Sequence, residues 1–188
     1  MKRLLYVCAV AMSITLLASL QAYAQYNEDE GSRLSIKLGV YMPSGSKLHN
    51  KGNSMWGAFG ANYALKLDEN GKSKSFISIE HVASSKDRFK GRLTSLQYTT
   101  LLGKKSDKTR GAYFGVGAGI FLAKEEVEQY FYEPGEKCSA TKIGFTFLGG
   151  YDLGENWFAE LQYTALNKLA PDVNFSGLTF YVGAKRFF

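Results

Sequence analysis

Hydropathy in this chain alternates with a period of two residues, segment after segment, from Ser32 onward. Successive side chains of a β-strand point to opposite faces, so each such segment reads as a strand with one apolar and one polar face. Leu34, Ile36, Leu38, Val40 and Met42 oppose Ser35, Lys37, Gly39 and Tyr41 in the first segment. The fifth is the most regular, with Phe114, Val116, Ala118, Ile120 and Leu122 interleaved with Gly115, Gly117 and Gly119. Trp157, Ala159, Leu161, Tyr163 and Ala165 oppose Glu160, Gln162 and Thr164 in the seventh, and Leu178, Phe180, Val182 and Ala184 oppose Thr179, Tyr181, Gly183 and Lys185 in the eighth. Eight segments of about ten residues are predicted, the length that crosses a bilayer at a tilt.

The connections predicted between them differ at the two ends. One end carries residues 43–54, 84–91, 123–140 and 166–176, and the other carries 66–74, 103–111 and 152–156. Pro43, Pro134 and Pro171 all fall in the first set, where none deletes a ladder hydrogen bond.

Two environments fit a closed sheet of eight strands. A soluble barrel turns its apolar face inward around a ligand, and a membrane barrel turns it outward to lipid. Here the polar face carries glycines with Lys37, Glu80, Lys142, Glu160, Gln162 and Lys185, and the apolar face carries Phe, Tyr, Trp, Leu, Ile and Val. No helix or second sheet is apparent to cover that apolar face, and in water it would drive aggregation. Lipid resolves this, because a closed barrel leaves no unpaired backbone edge. A mean hydropathy of −0.18 excludes a helical membrane bundle but not a barrel, whose two faces average out.

The first 24 residues read as a cleaved secretory signal peptide, with Lys2 and Arg3, an apolar stretch over Leu4–Leu20, and an A-x-A site at Ala22-Tyr23-Ala24. Residues 25–32 then form a short acidic segment, and 33–188 the barrel. Removal of the leader lowers the formal net charge from +6 to +4, too mild to indicate a nucleic-acid partner. It also removes Cys8 and leaves Cys138 with no partner for an internal disulfide.

Three stretches resemble the small eight-stranded outer-membrane barrels of the OmpA transmembrane-domain, OmpX and OmpW kind. They are Tyr113-Phe114-Gly115-Val116-Gly117-Ala118-Gly119, the run from Gly154 to Tyr163, and a final strand ending in Phe188 with Gly183 before it. The match departs from the family at Arg186, where an apolar or aromatic residue is usual. The resemblance implies a monomeric, porin-like transmembrane β-barrel in the outer membrane of a Gram-negative cell, with both termini periplasmic. It also implies that the barrel-assembly machinery reads Phe188 and Gly183 as its signal.

Lys37, Glu80, Lys142, Glu160 and Lys185, with Asp152, are the inward charges. An eight-stranded barrel is only wide enough to be filled by side chains, and buried charges need partners, so these residues are expected to form a paired network plugging the lumen. The alternative is the selective lining of a narrow channel. Lys47, Lys51, Lys86, Arg88 and Lys90, with Arg92, are expected in or beside the first two loops of the outer end, either as contacts for lipopolysaccharide phosphates or as a solvated loop face. The third loop surrounds Tyr130-Phe131-Tyr132 with Glu125, Glu126, Glu128, Glu133 and Glu136, either a surface for an extracellular ligand or aromatics packed on the barrel mouth. No metal-ligand spacing, cofactor motif or catalytic set is assigned. His81 invites comparison with outer-membrane lipid A deacylases, but the nucleophile of their His-x-Ser-Asn motif is replaced by Ala83.

Overall fold

The computed structural model describes residues 34–46, 48, 53–67, 73–86, 89–107, 110–127, 137–154, 156–167 and 173–185. They form eight strands: β1 (Leu34–Pro43), β2 (Trp56–Leu67), β3 (Ser73–Lys86), β4 (Phe89–Asp107), β5 (Arg110–Val127), β6 (Lys137–Leu153), β7 (Trp157–Leu166) and β8 (Gly177–Lys185). Each pairs antiparallel with its neighbours in sequence, and β1 pairs with β8 to close the barrel. The fold is the all-β, closed, up-and-down barrel that the alternation predicts.

Side-chain parity follows the hydropathy. Phe59, Ile79, Leu96, Phe114, Ile120, Ile143, Phe145 and Phe147 point outward and are exposed, Ile143 by as much as 74%. Lys37, Asn62, Ser78, Glu80, Gln97, Thr146, Glu160 and Gln162 point inward and are buried. The turn from β6 to β7 passes through Gly154 at φ +139°, a backbone conformation that side-chain-bearing residues rarely adopt.

Strand height departs from the uniform ten residues expected. β4, β5 and β6 run for 19, 18 and 17 residues, against 10 for β1 and 9 for β8. Pairing of β3 with β4 continues to Lys86↔Phe89, so the proposed connection 84–91 shrinks to residues 87–88. The connection 103–111 likewise shrinks to 108–109, and 123–140 to 128–136. Glu125, Glu126 and Cys138, assigned to a loop from sequence, therefore lie in paired strands. So do Lys86, Lys90 and Arg92.

Candidate functional site

The interior is built around one ammonium group. Lys37 of β1 is 1% exposed, and its Nζ lies 2.7 Å from Glu80 Oε1 of β3 and 2.8 Å from Glu160 Oε1 of β7. It also donates to Gln162 Oε1 at 3.4 Å and sits 4.3 Å from the centre of the Tyr181 ring. Glu80 Oε2 accepts from Gln162 Nε2 at 2.8 Å and from Gln97 Nε2 at 2.9 Å. Thr146 Oγ1 donates to Gln97 Oε1 at 2.8 Å, and Tyr113 OH donates to Glu160 Oε2 at 3.4 Å. The network thus draws on every strand but β2, so the lumen is bridged from wall to wall. Buried charges are tolerated only when paired and hydrogen-bonded, and here each carboxylate has both kinds of partner.

The other inward charges stand apart from this cluster. Lys185 bonds to Asp152 near the end of the barrel where β1 begins and β8 ends. Lys142 is half-buried and forms no ion pair with a described residue. Gly183 faces inward, where a Cβ would fall 2.2 Å from the Phe158 ring, so its missing side chain is the space that ring occupies. Phe188 lies outside the described residues.

Sequence reasoning treated the inward face as polar and missed the aromatic packing above and below the cluster. Tyr41, Trp56, Phe89, Phe121 and Phe175, with Leu48 and Val173, form a buried group at the end bearing the longer connections. The Trp56 ring lies 5.7 Å from Tyr41, 5.9 Å from Phe89 and 6.0 Å from Phe175, and Tyr41 OH donates to the Phe175 carbonyl at 2.5 Å. Phe76, Tyr113 and Leu148 form a second group toward the other end. Part of the signal was present in the sequence: Tyr41, Trp56, Phe76, Phe89, Tyr113, Phe121 and Leu148 carry the inward parity of their strands.

The exterior changes character in register. On β3, β4, β5 and β6, one row holds Ile79, Leu96, Ile120 and Ile143, and the next holds His81, Thr94, Leu122 and Thr141. The row after that is Ala83, Arg92, Lys124 and Ser139, followed by Ser85, Lys90, Glu126 and Lys137. An apolar band therefore gives way to a mainly cationic belt within two rows. Lys137 bonds to Glu126 at 2.7 Å, and this bond holds the Glu126 carboxyl below the usual carboxylate range.

A groove of about 450 Å³ opens in this belt, lined among others by Asn53, Met55, Gly57, Ala83, Lys90 and Arg92. Its floor is shallow-walled because Gly57 pairs with Ala83, two small residues side by side. Below it His81 faces outward, with Nδ1 2.8 Å from Thr94 Oγ1 and its ring 5.3 Å from that of Phe59. Ser84, the next serine after His81 in sequence, is turned inward and buried. Of the cations expected to contact lipopolysaccharide, Lys90 lines the groove and Lys86 is exposed at the rim. Lys47, Lys51 and Arg88 lie outside the described residues, as do Glu128, Glu133, Glu136 and the aromatic run 130–132.

A closed antiparallel barrel of eight strands with an apolar exterior band and a packed interior has the fold of the small outer-membrane β-barrels. Solved structures similar to it include the N-terminal β-barrel domain of Pseudomonas aeruginosa OprF, with a TM-score of 0.53 and 16% identity over 83% of this chain and 96% of that one. Neisserial surface protein A (NspA) is similar with a TM-score of 0.54 and 11% identity, over 82% of this chain and 96% of that one. At these identities the likeness is one of fold. No family model matches the chain, and no curated protein matches it.

Proposed function

We propose that the protein is an integral, monomeric outer-membrane barrel with a closed lumen, acting through its wall and its longer-looped end rather than by conducting solutes. The leader over residues 1–24 takes it across the inner membrane, and the assembly machinery inserts it with both termini periplasmic. The longer connections and the cationic belt then face outward, toward lipopolysaccharide and any extracellular ligand.

The observation that carries this reading is the stacking of the interior. A solute entering from one end meets the Trp56 group, then the Lys37–Glu80–Glu160 cluster, then the Phe76 group. Opening a path means separating a buried ion pair in a low-dielectric interior, which leaves charges uncompensated. Structural barrels need no such path.

Conductance in a planar bilayer tests the reading. The purified, refolded protein should insert without giving stepwise currents. Steady single-channel steps would overturn it and leave the narrow channel in its place.

A further inference from the structure

We infer that the groove between β2, β3 and β4 is a binding site for the phosphate group of an anionic lipid in the outer leaflet. The inference rests on the outer-membrane reading above and assigns a particular place to lipid contact.

Position supports it first. The groove lies in the rows where the apolar band ends, so a lipid with its chains against Ala61, Ile79 and Leu96 brings its headgroup to Gly57, Ala83 and Arg92. Shape supports it next. A Cβ built on Gly57 would meet only the Ala83 carbonyl oxygen, at 4.0 Å, so the hollow exists because both floor residues are small. The Phe59 and His81 rings, 5.3 Å apart one row below, offer side-chain contact for the headgroup's first carbon atoms.

Charge decides the ligand class. Lys90 and Arg92 are two residues apart on β4 and line the same groove. Lys124 stands beside Arg92 in register on β5. Glu126, the one carboxylate in these two rows, pairs in register with Lys90 and bonds to Lys137, and the four cations Lys90, Arg92, Lys124 and Lys137 outnumber it. Arg92 forms no ion pair with a described residue. Its planar guanidinium suits two phosphate oxygens at once, and Lys90 adds a point charge. An inorganic phosphate would use the cations but not the apolar rows beneath them, so the whole arrangement fits a membrane lipid.

The test uses the full barrel in phosphatidylcholine nanodiscs containing a small fraction of lipid A, either phosphorylated or dephosphorylated. Native mass spectrometry reads the lipid retained on release. Phosphorylated lipid A should be retained about tenfold more than the dephosphorylated form, a difference in the range of one charge-assisted hydrogen bond. Arg92→Gln with Lys90→Gln should abolish the preference, and Gly57→Trp should abolish retention by filling the hollow with every charge in place. Folding of each variant is checked by its mobility in SDS without boiling. Arg92→Gln with Asn167→Lys keeps the net charge but places it at an exposed position elsewhere, and it should not restore retention.

Equal retention of both lipid A forms would overturn phosphate recognition. Restoration by Asn167→Lys would overturn the groove in favour of diffuse attraction. Complete displacement by millimolar inorganic phosphate would overturn the commitment to lipid. Insertion of the wild-type barrel without selectivity sinks the site alone, whereas failure to insert into any bilayer sinks the outer-membrane reading and the site with it.

Discussion

Lys37 and Glu80 form their 2.7 Å ion pair across an intervening strand. They sit in one row of the sheet with Gly60 of β2 between them, paired in register to both. A Cβ on Gly60 would lie 3.1 Å from Glu80 Cγ and 3.2 Å from Lys37 Cε. A methyl group there would already be tight against both side chains, and a larger one would fall between the first and third strands where they meet inside the barrel.

Replacing the cation tests how far the interior depends on it. Lys37→Met leaves Glu80 and Glu160 buried without their shared partner, and should destabilise the barrel by about 3–5 kcal/mol. Lys37→Met with Glu80→Gln and Glu160→Gln should recover most of that loss, because no buried charge remains. Urea unfolding in lipid vesicles measures both. A single variant as stable as the triple one would show that the cluster carries little net charge.

Gly60→Leu should act through the same pair. It forces Lys37 and Glu80 apart, so its effect should shrink in the background Lys37→Met with Glu80→Gln. Neighbouring sites that share partners couple by about 0.5–3 kcal/mol in such cycles. Additive losses would mean that Gly60 matters for backbone packing alone.

Depth along the outer wall is readable by charge. Phe147→Arg places a cation in the apolar band and should cost about 2–4 kcal/mol if its row lies near the midplane. Ser139→Arg, in the row of Arg92 and Lys124, should cost no more than about 1 kcal/mol. Equal penalties in vesicle unfolding would displace the band from where the rows put it.

Closure predicts resistance to detergent. With every strand hydrogen-bonded on both sides, the folded protein should run in cold SDS at a mobility distinct from that of the boiled sample. A single mobility under both conditions would count against a closed barrel of this kind.

The transmembrane half of the fold was legible because lipid enforces alternation: every outward position from Ile143 to Phe147 had to be apolar and every inward one compatible with a packed lumen. Beyond the band that pressure lapses. Arg92, Lys124 and Lys137 point to water, so β4, β5 and β6 continue as paired strands with no apolar outward face to announce them. Their backbone pairing is unchanged, but the hydropathy that betrayed the strand is gone, and the extensions read as loops. The aromatic groups in the lumen escaped for a related reason. Period-two patterning distinguishes two faces but does not say which large side chains an interior can seat, and Trp56 fits beside Phe89 only where Gly91 leaves the space. Lys37, Glu80 and Glu160 were recognisable as inward charges, yet their meeting depends on Gly60 and on strand stagger. Neither is a property of any one segment.

The register of the sheet also sets an order on how it can be made. Every strand pairing but one joins consecutive segments and can form as a local hairpin while the chain is incomplete. The exception is the seam of β1 with β8, where Ser35 meets Lys185 and Pro43 meets Gly177. Until that seam closes, both flanking strands offer unpaired backbone to any other chain, the template on which aggregates grow. Its closure also bears the largest loop entropy in the molecule, so it comes late. A newly made chain is thus most vulnerable when nearly complete, and whatever holds its two outer strands before they find each other governs the yield.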